Sequence, residues 1–304
     1  MNPADIPTVR LRSRVSDAEL EAKVGKIITD ADYNLVATGP LRVLKPNGDP
    51  LMIYLPGALL PVVDQGPIYE ILHGLRTLLT DNRGKASGTE RIAKTDGSRS
   101  RTKPIASAVV GAMDPGGMQR YCRLTAWTGK NMPRWEELRP LFREVARHLE
   151  AVVPDRYAAQ AAEAAKTSPE WIIPGTPFST ITVNNSYPTG VHTDKGDLDA
   201  GFSTIGCLRR GAYTGGRLAF PRWRVAADLQ HGDLICMDAH EYHGNTHMVC
   251  ACGVRMSGMC DACGAERISV VSYFRTNVAK CGTAAEELAR AQALADARTA
   301  KRRQ

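Results

Sequence analysis

The hydrophobic pattern changes its period along the 304-residue chain. Before about residue 170, several segments repeat apolar positions at helical spacing, and after it short runs alternate with the two-residue period of strands. The predicted helices are 16–28, 68–79, 156–166 and 283–303. A further helical stretch starts either after Pro133 or near Pro140, and Pro154 ends it. The predicted strands are 51–55, 178–184, several within 206–220, 224–229, 233–237 and 267–275.

Short strands separated by Gly and Pro turns favour a β-sandwich or barrel, and the helices that flank them make the fold class α+β. No internal repeat is found. We expect an N-terminal region over 1–110 with a basic loop at 81–107, a strand-rich domain over 111–281 and a basic C-terminal helix over 282–304. Capping boxes at Ser16/Glu19 and Thr283/Glu286 predict two of the helix starts.

Composition is that of an ordinary globular protein, with 43% hydrophobic and 23% charged residues. No apolar run approaches the ~20 residues of a membrane helix, and the first residues lack a secretory h-region, so we expect a cytoplasmic protein without a membrane partner. The net charge of +7 favours a polyanionic partner. Seven cations crowd the 81–107 loop, which is either solvated or a phosphate contact: Arg83, Lys85, Arg91, Lys94, Arg99, Arg101 and Lys103.

The segment VHTDKGD places His192 and Asp194 two residues apart. On an extended strand both side chains point to one face and can bind one ion. His240, His243 and His247 compete for the third ligand position. We favour His243 because it follows the strand DLICMD and lies within HGNT, where a strand would turn into a loop beside the metal. Two histidines and one carboxylate that leave positions open are typical of non-haem Fe(II) oxygenases.

A 2-oxoglutarate cosubstrate needs a fixed cation for its distal carboxylate, which the fork of an arginine meets best. Arg267 and Ser269 share one face of the strand RISVVSYFR and form a candidate clamp for this carboxylate. The alternative is that Arg267 is an ordinary surface arginine at the start of a strand. Arg255 is a rival that lies inside a cysteine-rich segment. Asn185 and Tyr187 precede the metal motif and either contact the cosubstrate or form an ordinary turn.

Four of the eight cysteines form a Cys-x-Cys pair and a Cys-x-x-Cys pair with seven residues between them, within 250–263. This spacing predicts a tetrahedral Zn(II) site in an insertion. The site would be structural, because four sulfurs leave no coordination position open for a substrate. The alternatives are that these cysteines are reduced thiols or that Cys-x-x-Cys is a redox pair. The ligands are Cys250, Cys252, Cys260 and Cys263. We expect the others to be buried or incidental thiols: Cys122, Cys207, Cys236 and Cys281.

The motifs TITVNNSYPTGVHTDKGDL, GGRLAFP, HGDLICMDAHEYHGNT and RISVVSYFR together resemble the TET/JBP family of dioxygenases, in particular its bacteriophage and bacterial members. The resemblance covers residues 112–281. It implies a double-stranded β-helix (jelly-roll or cupin-like) core, Fe(II) on His192, Asp194 and His243, and 2-oxoglutarate on Arg267 and Ser269. It also implies contacts to the target base from Asp197, Tyr273 and Arg275.

The resemblance further implies oxidation of a pyrimidine 5-methyl group in DNA, with the target base flipped out of the stack. A carboxylate at Asp197 would accept from the N4 amino group of cytosine, which favours 5-methylcytosine, converted to 5-hydroxymethylcytosine or beyond. Thymine hydroxylation to 5-hydroxymethyluracil is the alternative, and a non-catalytic DNA-binding protein is the alternative of another class. We expect a monomer in the cytoplasm of a bacterial host cell.

Overall fold

The computed structural model describes residues 2–80, 83–87, 91–92, 101–102, 104–116 and 119–303. Lys94, Arg99 and Lys103 of the predicted basic loop lie outside these residues. Contacts divide the chain into unit 1, of 1–108, 182–195 and 203–271, and unit 2, of 109–181, 196–202 and 272–304. The boundary predicted after residue 110 falls inside a strand, Ile105–Met113.

The strands are β1 Thr8–Arg10, β2 Leu35–Ala37, β3 Leu41–Leu44, β4 Pro50–Leu55, β5 Leu79–Thr80, β6 Arg91–Ile92, β7 Arg101–Thr102, β8 Ile105–Met113, β9 Arg123–Leu124, β10 Thr180–Asn185, β11 Ser203–Arg210, β12 Tyr213–Gly215, β13 Leu218–Phe220, β14 Val225–Ala227, β15 Asp233–Met237, β16 Gly244–Asn245, β17 Met248–Cys250 and β18 Glu266–Tyr273. The α-helices are α1 Asp17–Lys23, α2 Leu60–Val63, α3 Ile68–Gly74, α4 Ala126–Lys130, α5 Met132–Glu137, α6 Arg139–Val152, α7 Pro154–Lys166 and α8 Ala284–Arg303. Within the described ranges no helix is both long and apolar enough to cross a bilayer.

Unit 1 is built on two sheets with a shared core. The large sheet has the order β1-β3-β4-β15-β11-β18-β10-β8-β5, and a smaller one the order β16-β13-β14-β2. The main apolar cluster takes buried side chains from both, such as Tyr54 and Ile235 from the large sheet and Phe220 and Val225 from the small one. Apolar faces of two sheets bury each other in this way in sandwiches and jelly rolls. The predicted α+β, double-stranded β-helix class is confirmed.

The first predicted helix is shorter than the sequence pattern indicates. Its start is confirmed, because Ser16 and Glu19 form the capping box, but α1 ends at Lys23. Gly25, with φ of 85°, then turns the chain into an extended path. There Val24 and Ile28 form parallel bridges to residues 191 and 246. Pairing with the segments around the candidate metal ligands therefore overrides the helical preference of 24–28.

Unit 2 contains α4 to α8 and the far end of β8, which pairs with β9. The amphipathic stretch splits into α5 and α6, so the helix that starts near Pro140 is the alternative that forms. Its apolar positions are buried as predicted, among them Leu141, Val145 and Leu149. The expectation of unpaired thiols at Cys122 and Cys281 is wrong. They form a disulfide across a sequence separation of 159 residues, which no local pattern indicates.

A largely buried ion-pair group anchors the loop that follows β15. The Lys45 ammonium lies 2.7 Å from Asp238 Oδ2 and 2.8 Å from Glu241 Oε1, with 16% of its side chain exposed. Burial raises the pKa of Asp238, but hydrogen bonds from His240 and Lys45 outweigh this and hold it well below the ordinary range. The ion pairs therefore stabilise the loop when the carboxylate is ionised.

Replacing Lys45 with methionine should lower the free energy of unfolding by about 2 kcal/mol, because two half-buried carboxylates lose a charged donor. The loss should shrink below about pH 4, since a folded-state pKa below the unfolded one stabilises only while the unfolded carboxyl is ionised. Urea denaturation at two pH values measures both effects. The control is Lys166→Met, where the lysine is 68% exposed beside Glu163 and a change below about 0.5 kcal/mol is expected. Equal losses at both positions would contradict the account.

Candidate metal and cosubstrate site

Two segments of unit 1 meet at the candidate metal site. His192 N donates to His243 O at 2.9 Å, and His243 N donates to His192 O at 3.0 Å, an isolated antiparallel bridge. Asp194 N donates to Ala239 O at 3.0 Å, one step further along the same two segments. The pairing places residues 192 and 194 opposite the loop that follows β15, as the two-residue spacing predicts.

The three side chains converge on one point. Asp194 Oδ1 lies 3.5 Å from His192 Nε2, and Asp194 Oδ2 lies 3.7 Å from His243 Nε2. One ligand atom from each residue lies within 4.8 Å of the others, and His243 is 3% exposed. Two imidazole nitrogens and a carboxylate oxygen are the donors of a facial triad, which suits Fe(II) and leaves positions for other ligands.

Backbone carbonyls orient both imidazoles. His192 Nδ1 lies 2.8 Å from Gly190 O, and His243 Nδ1 lies 2.9 Å from Glu241 O. A carbonyl accepts only from a protonated nitrogen, so Nε2 is left as the metal-binding atom on each ring. Burial, together with the neighbouring His192 ring, lowers the pKa of His243 to about 4. At neutral pH this imidazole therefore has a lone pair for a metal.

A glycine permits the close approach of the segment before His192. A Cβ added at Gly190 would lie 2.6 Å from Gly25 O and 2.7 Å from Gly25 C, closer than side-chain atoms approach a backbone. Val191 also hydrogen-bonds to this N-terminal segment: its carbonyl oxygen accepts from Gly25 N, and its backbone nitrogen donates to Lys26 O. The N-terminal region, to which the sequence assigned no role, therefore supports the segment that carries two ligands.

Neither rival histidine joins the group. His240 Nδ1 lies 3.2 Å from Asp238 Oδ1, within the loop held by Lys45. Nδ1 of His247 is buried without a hydrogen-bond partner, and burial followed by the charge of Arg255 lowers the pKa of this imidazole. Of the three candidates, His243 is the one that the structure brings to His192 and Asp194.

Arg267 is a buried cation with spare hydrogen-bonding capacity. It is 4% exposed, its Nε has no hydrogen-bond partner, and within the described residues no carboxylate lies within ion-pair distance of its guanidinium. Ser269, two residues on, is 6% exposed. An uncompensated buried charge is costly, so this side chain is suited to a carboxylate ligand. Arg255, the rival cation, is exposed.

Glu266 carries a buried network that sequence reasoning missed. Its carboxylate is 1% exposed and accepts from Tyr69, Asn185 and His73, whose Nδ1 lies 2.8 Å away. Asn185 Oδ1 is left buried without a partner, so Asn185 can still accept from a ligand. Neighbouring residues of a strand point to opposite faces, so Glu266 and Arg267 do not neutralise each other. The two-residue alternation of the strand, extended back to residue 266, places Glu266 on the same face as Ile268 and Val270 and could have indicated a buried carboxylate.

Tyr187, the second predicted cosubstrate residue, is 5% exposed. Its hydroxyl donates to Asn184 Oδ1 at 3.2 Å, an atom that also accepts from Ser107. Arg83 of the predicted basic loop donates to Ser107 and to Thr182, so its guanidinium is held within unit 1. A cosubstrate contact from Asn185 and Tyr187 stays a prediction.

The residues predicted to face the base lie in unit 2, where two of them are paired. Asp197 and Arg275 form an antiparallel bridge, and Thr276 Oγ1 donates to Asp197 O. Arg275 Nε lies 2.6 Å from Asp114 Oδ1, so its charge is compensated. Tyr273 and Asp197 are 7% and 8% exposed. Their role toward a base stays a prediction.

His243→Ala should remove about one equivalent of tightly bound Fe(II), because the remaining two donors cannot form the facial set. Anaerobic loading followed by metal analysis measures the stoichiometry. His247→Ala, at a neighbour outside the group, serves as the control and should bind iron as the unaltered protein does. Iron loss in the control and retention in His243→Ala would overturn the ligand assignment.

The sequence model of the Tet_JBP family, described as the oxygenase domain of the 2OGFeDO superfamily, matches residues 114–276. The chain is 31% identical over 183 residues to thymine dioxygenase JBP1 of Leishmania braziliensis, covering 59% of the chain and 21% of that protein. It is 35% identical over 143 residues to thymine dioxygenase JBP1-B of Trypanosoma cruzi, covering 46% and 17%. The chain thus spans about a fifth of the length of these relatives.

A solved structure of NgTET1 in complex with 5mC DNA superposes with a TM-score of 0.58 at 12% identity, over 92% of this chain and 86% of that one. At this identity the match establishes the fold. The family match covers more than half of the chain and contains both histidines, the aspartate and the buried arginine. The chain belongs to the Tet_JBP family and carries an oxygenase domain of the superfamily that uses Fe(II) and 2-oxoglutarate.

Proposed function

We propose that the protein is a dioxygenase that oxidises the 5-methyl group of a pyrimidine in DNA, with 5-methylcytosine as the first substrate candidate. The observation that carries the proposal is that unit 1 holds both a His–Asp–His donor set and a buried arginine that lacks a carboxylate partner among the described residues. An iron site alone would suit many reactions, whereas an arginine of this kind suits a dicarboxylate cosubstrate.

His192, Asp194 and His243 would hold Fe(II), and Arg267 with Ser269 would bind the distal carboxylate of 2-oxoglutarate. When bound, this pair activates oxygen to remove hydrogen from an unreactive methyl group. The protein orients the imidazoles through Gly190 O and Glu241 O. Burial of His243 and Arg267 excludes water, which strengthens electrostatic interactions at the site.

DNA as the substrate is supported by the family and by the charge of the chain. The net charge is +7, and its positive residues include the exposed Lys301 near the end of α8. A base stacked in a duplex cannot bring its methyl group to a metal held among protein side chains, so we propose that the target nucleotide is extruded. We further propose that the protein acts as a monomer.

A carboxylate at Asp197 favours cytosine, because it can accept from the N4 amino group, whereas thymine offers an acceptor at O4. Thymine is the second candidate because the curated relatives at 31% and 35% identity are thymine dioxygenases. Each base leads to a different product, 5-hydroxymethylcytosine or 5-hydroxymethyluracil, so a single digestion distinguishes them.

With Fe(II) and 2-oxoglutarate, the protein should convert 5-methylcytosine in a duplex to 5-hydroxymethylcytosine, read as nucleosides by mass spectrometry. A duplex that contains thymine but no 5-methylcytosine tests the second candidate in parallel. His192→Ala should give no product on either. Absence of oxidised nucleoside on both duplexes, with succinate at background, would refute the DNA dioxygenase proposal.

Replacing Arg267 with lysine should raise the Kd for 2-oxoglutarate by about 10- to 100-fold, because a point charge cannot form the two parallel bonds of a guanidinium. Calorimetric titration of 2-oxoglutarate into the anaerobic, Fe(II)-loaded protein measures this without DNA. Arg255→Lys, at the exposed rival, should leave the Kd unchanged. A larger effect at position 255 than at 267 would reassign the clamp.

A further inference from the structure

A second set of metal-binding side chains lies between His243 and Arg267. One sulfur from each of four cysteines lies within 4.8 Å of the others. The distances between Sγ atoms are 2.9 Å for 250–252, 3.4 Å for 252–260, 3.5 Å for 250–260 and 3.6 Å for 252–263. A disulfide joins sulfurs at about 2.05 Å, whereas tetrahedral zinc holds them about 3.8 Å apart. The arrangement is that of a ligand set and not of disulfide pairs.

Each cysteine pair is followed by a glycine that reverses the chain. Gly253 and Gly264 have φ of 79° and 68°, values that side chains disfavour. Gly253 N donates to Cys250 O at 2.9 Å, and Gly264 N donates to Cys260 O at 2.7 Å. Two turns, each ending in a glycine with positive φ, therefore present their sulfurs to one point, as in the knuckles of structural zinc sites.

The segment around the cysteines has little other means of holding its shape. Residues 251–265 contain no helix or strand, and most of them are exposed. Their apolar contacts form a small cluster apart from the main core, and two of its six members are the cysteines themselves. Small segments with so little core are commonly held by a metal or by disulfides.

The cysteine segment is connected to the surroundings of the clamp arginine in two ways. In the β12–β17 ribbon, Cys250 pairs with Tyr213 and Met248 with Gly215. A Cβ added at Gly216 would lie 2.9 Å from Met248 Cγ and 3.3 Å from Arg267 Cδ, so both side chains pack over this glycine.

On the other side, Cys263 precedes Arg267 by four residues. Between them Ala265 is fully buried, and a Cβ added at Gly211 would lie 2.9 Å from its Cα. Cys260 N also donates to Ala265 O at 2.9 Å. The cysteine segment is thus tied directly to the start of β18, the strand that carries Arg267.

We propose that Cys250, Cys252, Cys260 and Cys263 bind one Zn²⁺ ion, and that this ion positions Arg267 for the distal carboxylate of 2-oxoglutarate. The second clause rests on the proposed function. The cysteines touch neither cosubstrate nor iron in this account, and they act through the ribbon and the start of β18.

Metal analysis of the full-length protein, purified without chelator, should give one zinc per chain. Cys263→Ser should lose it, whereas Cys263→His should retain it, because imidazole also coordinates zinc. Cys236→Ala, at a buried thiol outside the cluster, is the matched control and should keep the zinc. Unaltered protein that contains no zinc would overturn the proposal.

Calorimetric titration of 2-oxoglutarate into the Fe(II)-loaded proteins tests the positioning role without DNA. Cys263→Ser should raise the Kd by about 10-fold or more, with iron stoichiometry unchanged, and Cys263→His should restore the affinity to within about twofold. Cys252→Ser, at the other exposed cysteine, should reproduce the serine result. An unchanged Kd after zinc loss would refute the positioning role, as would loss of iron together with zinc in both serine variants. Neither result depends on whether DNA is oxidised.

Discussion

The reciprocal backbone hydrogen bonds between His192 and His243 are the constraint on which the site depends. Residues 51 positions apart become neighbours at a fixed distance, and the two-residue spacing then adds Asp194. A one-residue slip of this pairing would turn the ligands to the opposite face. The contacts around it oppose such a slip, because on one side residues 25 and 26 hydrogen-bond to Val191 and the backbone packs closely at Gly190. On the other side, Lys45 holds the loop before His243.

Of two neighbouring buried charges on β18, one has hydrogen-bond partners and the other has no partner of opposite charge among the described residues. Glu266 is buried and accepts from three side chains, whereas the adjacent Arg267 has no carboxylate partner among the described residues. Because the two point to opposite faces of β18, the network around Glu266 fixes the strand without neutralising the arginine. An unmatched positive charge in the same unit as a metal donor set is what points to an anionic cosubstrate.

Local sequence patterns predicted those parts of the site that depend on strand periodicity. The spacing of His192 and Asp194, the face shared by Arg267 and Ser269, and the strand 233–237 all follow from the two-residue period. Features that depend on distant residues were missed. The Cys122–Cys281 disulfide and the pairing of Glu266 with α3 join segments more than 150 residues apart. No pattern within a short window encodes such contacts.

The early end of α1 is a second case in which contacts with distant residues decide the local structure. Residues 24–28 have a helical pattern, yet the backbone pairing offered by residues 191 and 246 is stronger than this local preference. The sequence therefore predicted which residues carry the chemistry better than it predicted which residues support them. Support comes largely from the N-terminal region, whose strands β1, β3 and β4 join the large sheet.

The most direct test of the central claim follows oxygen through the reaction. The protein is supplied with Fe(II), 2-oxoglutarate and a 5-methylcytosine duplex under ¹⁸O₂, and both products are analysed by mass spectrometry. A dioxygenase that uses this site should place labelled oxygen in succinate and in the hydroxymethyl group, with equal amounts of the two products. Oxidised base formed without succinate, or with oxygen that carries no label in either product, would contradict the account.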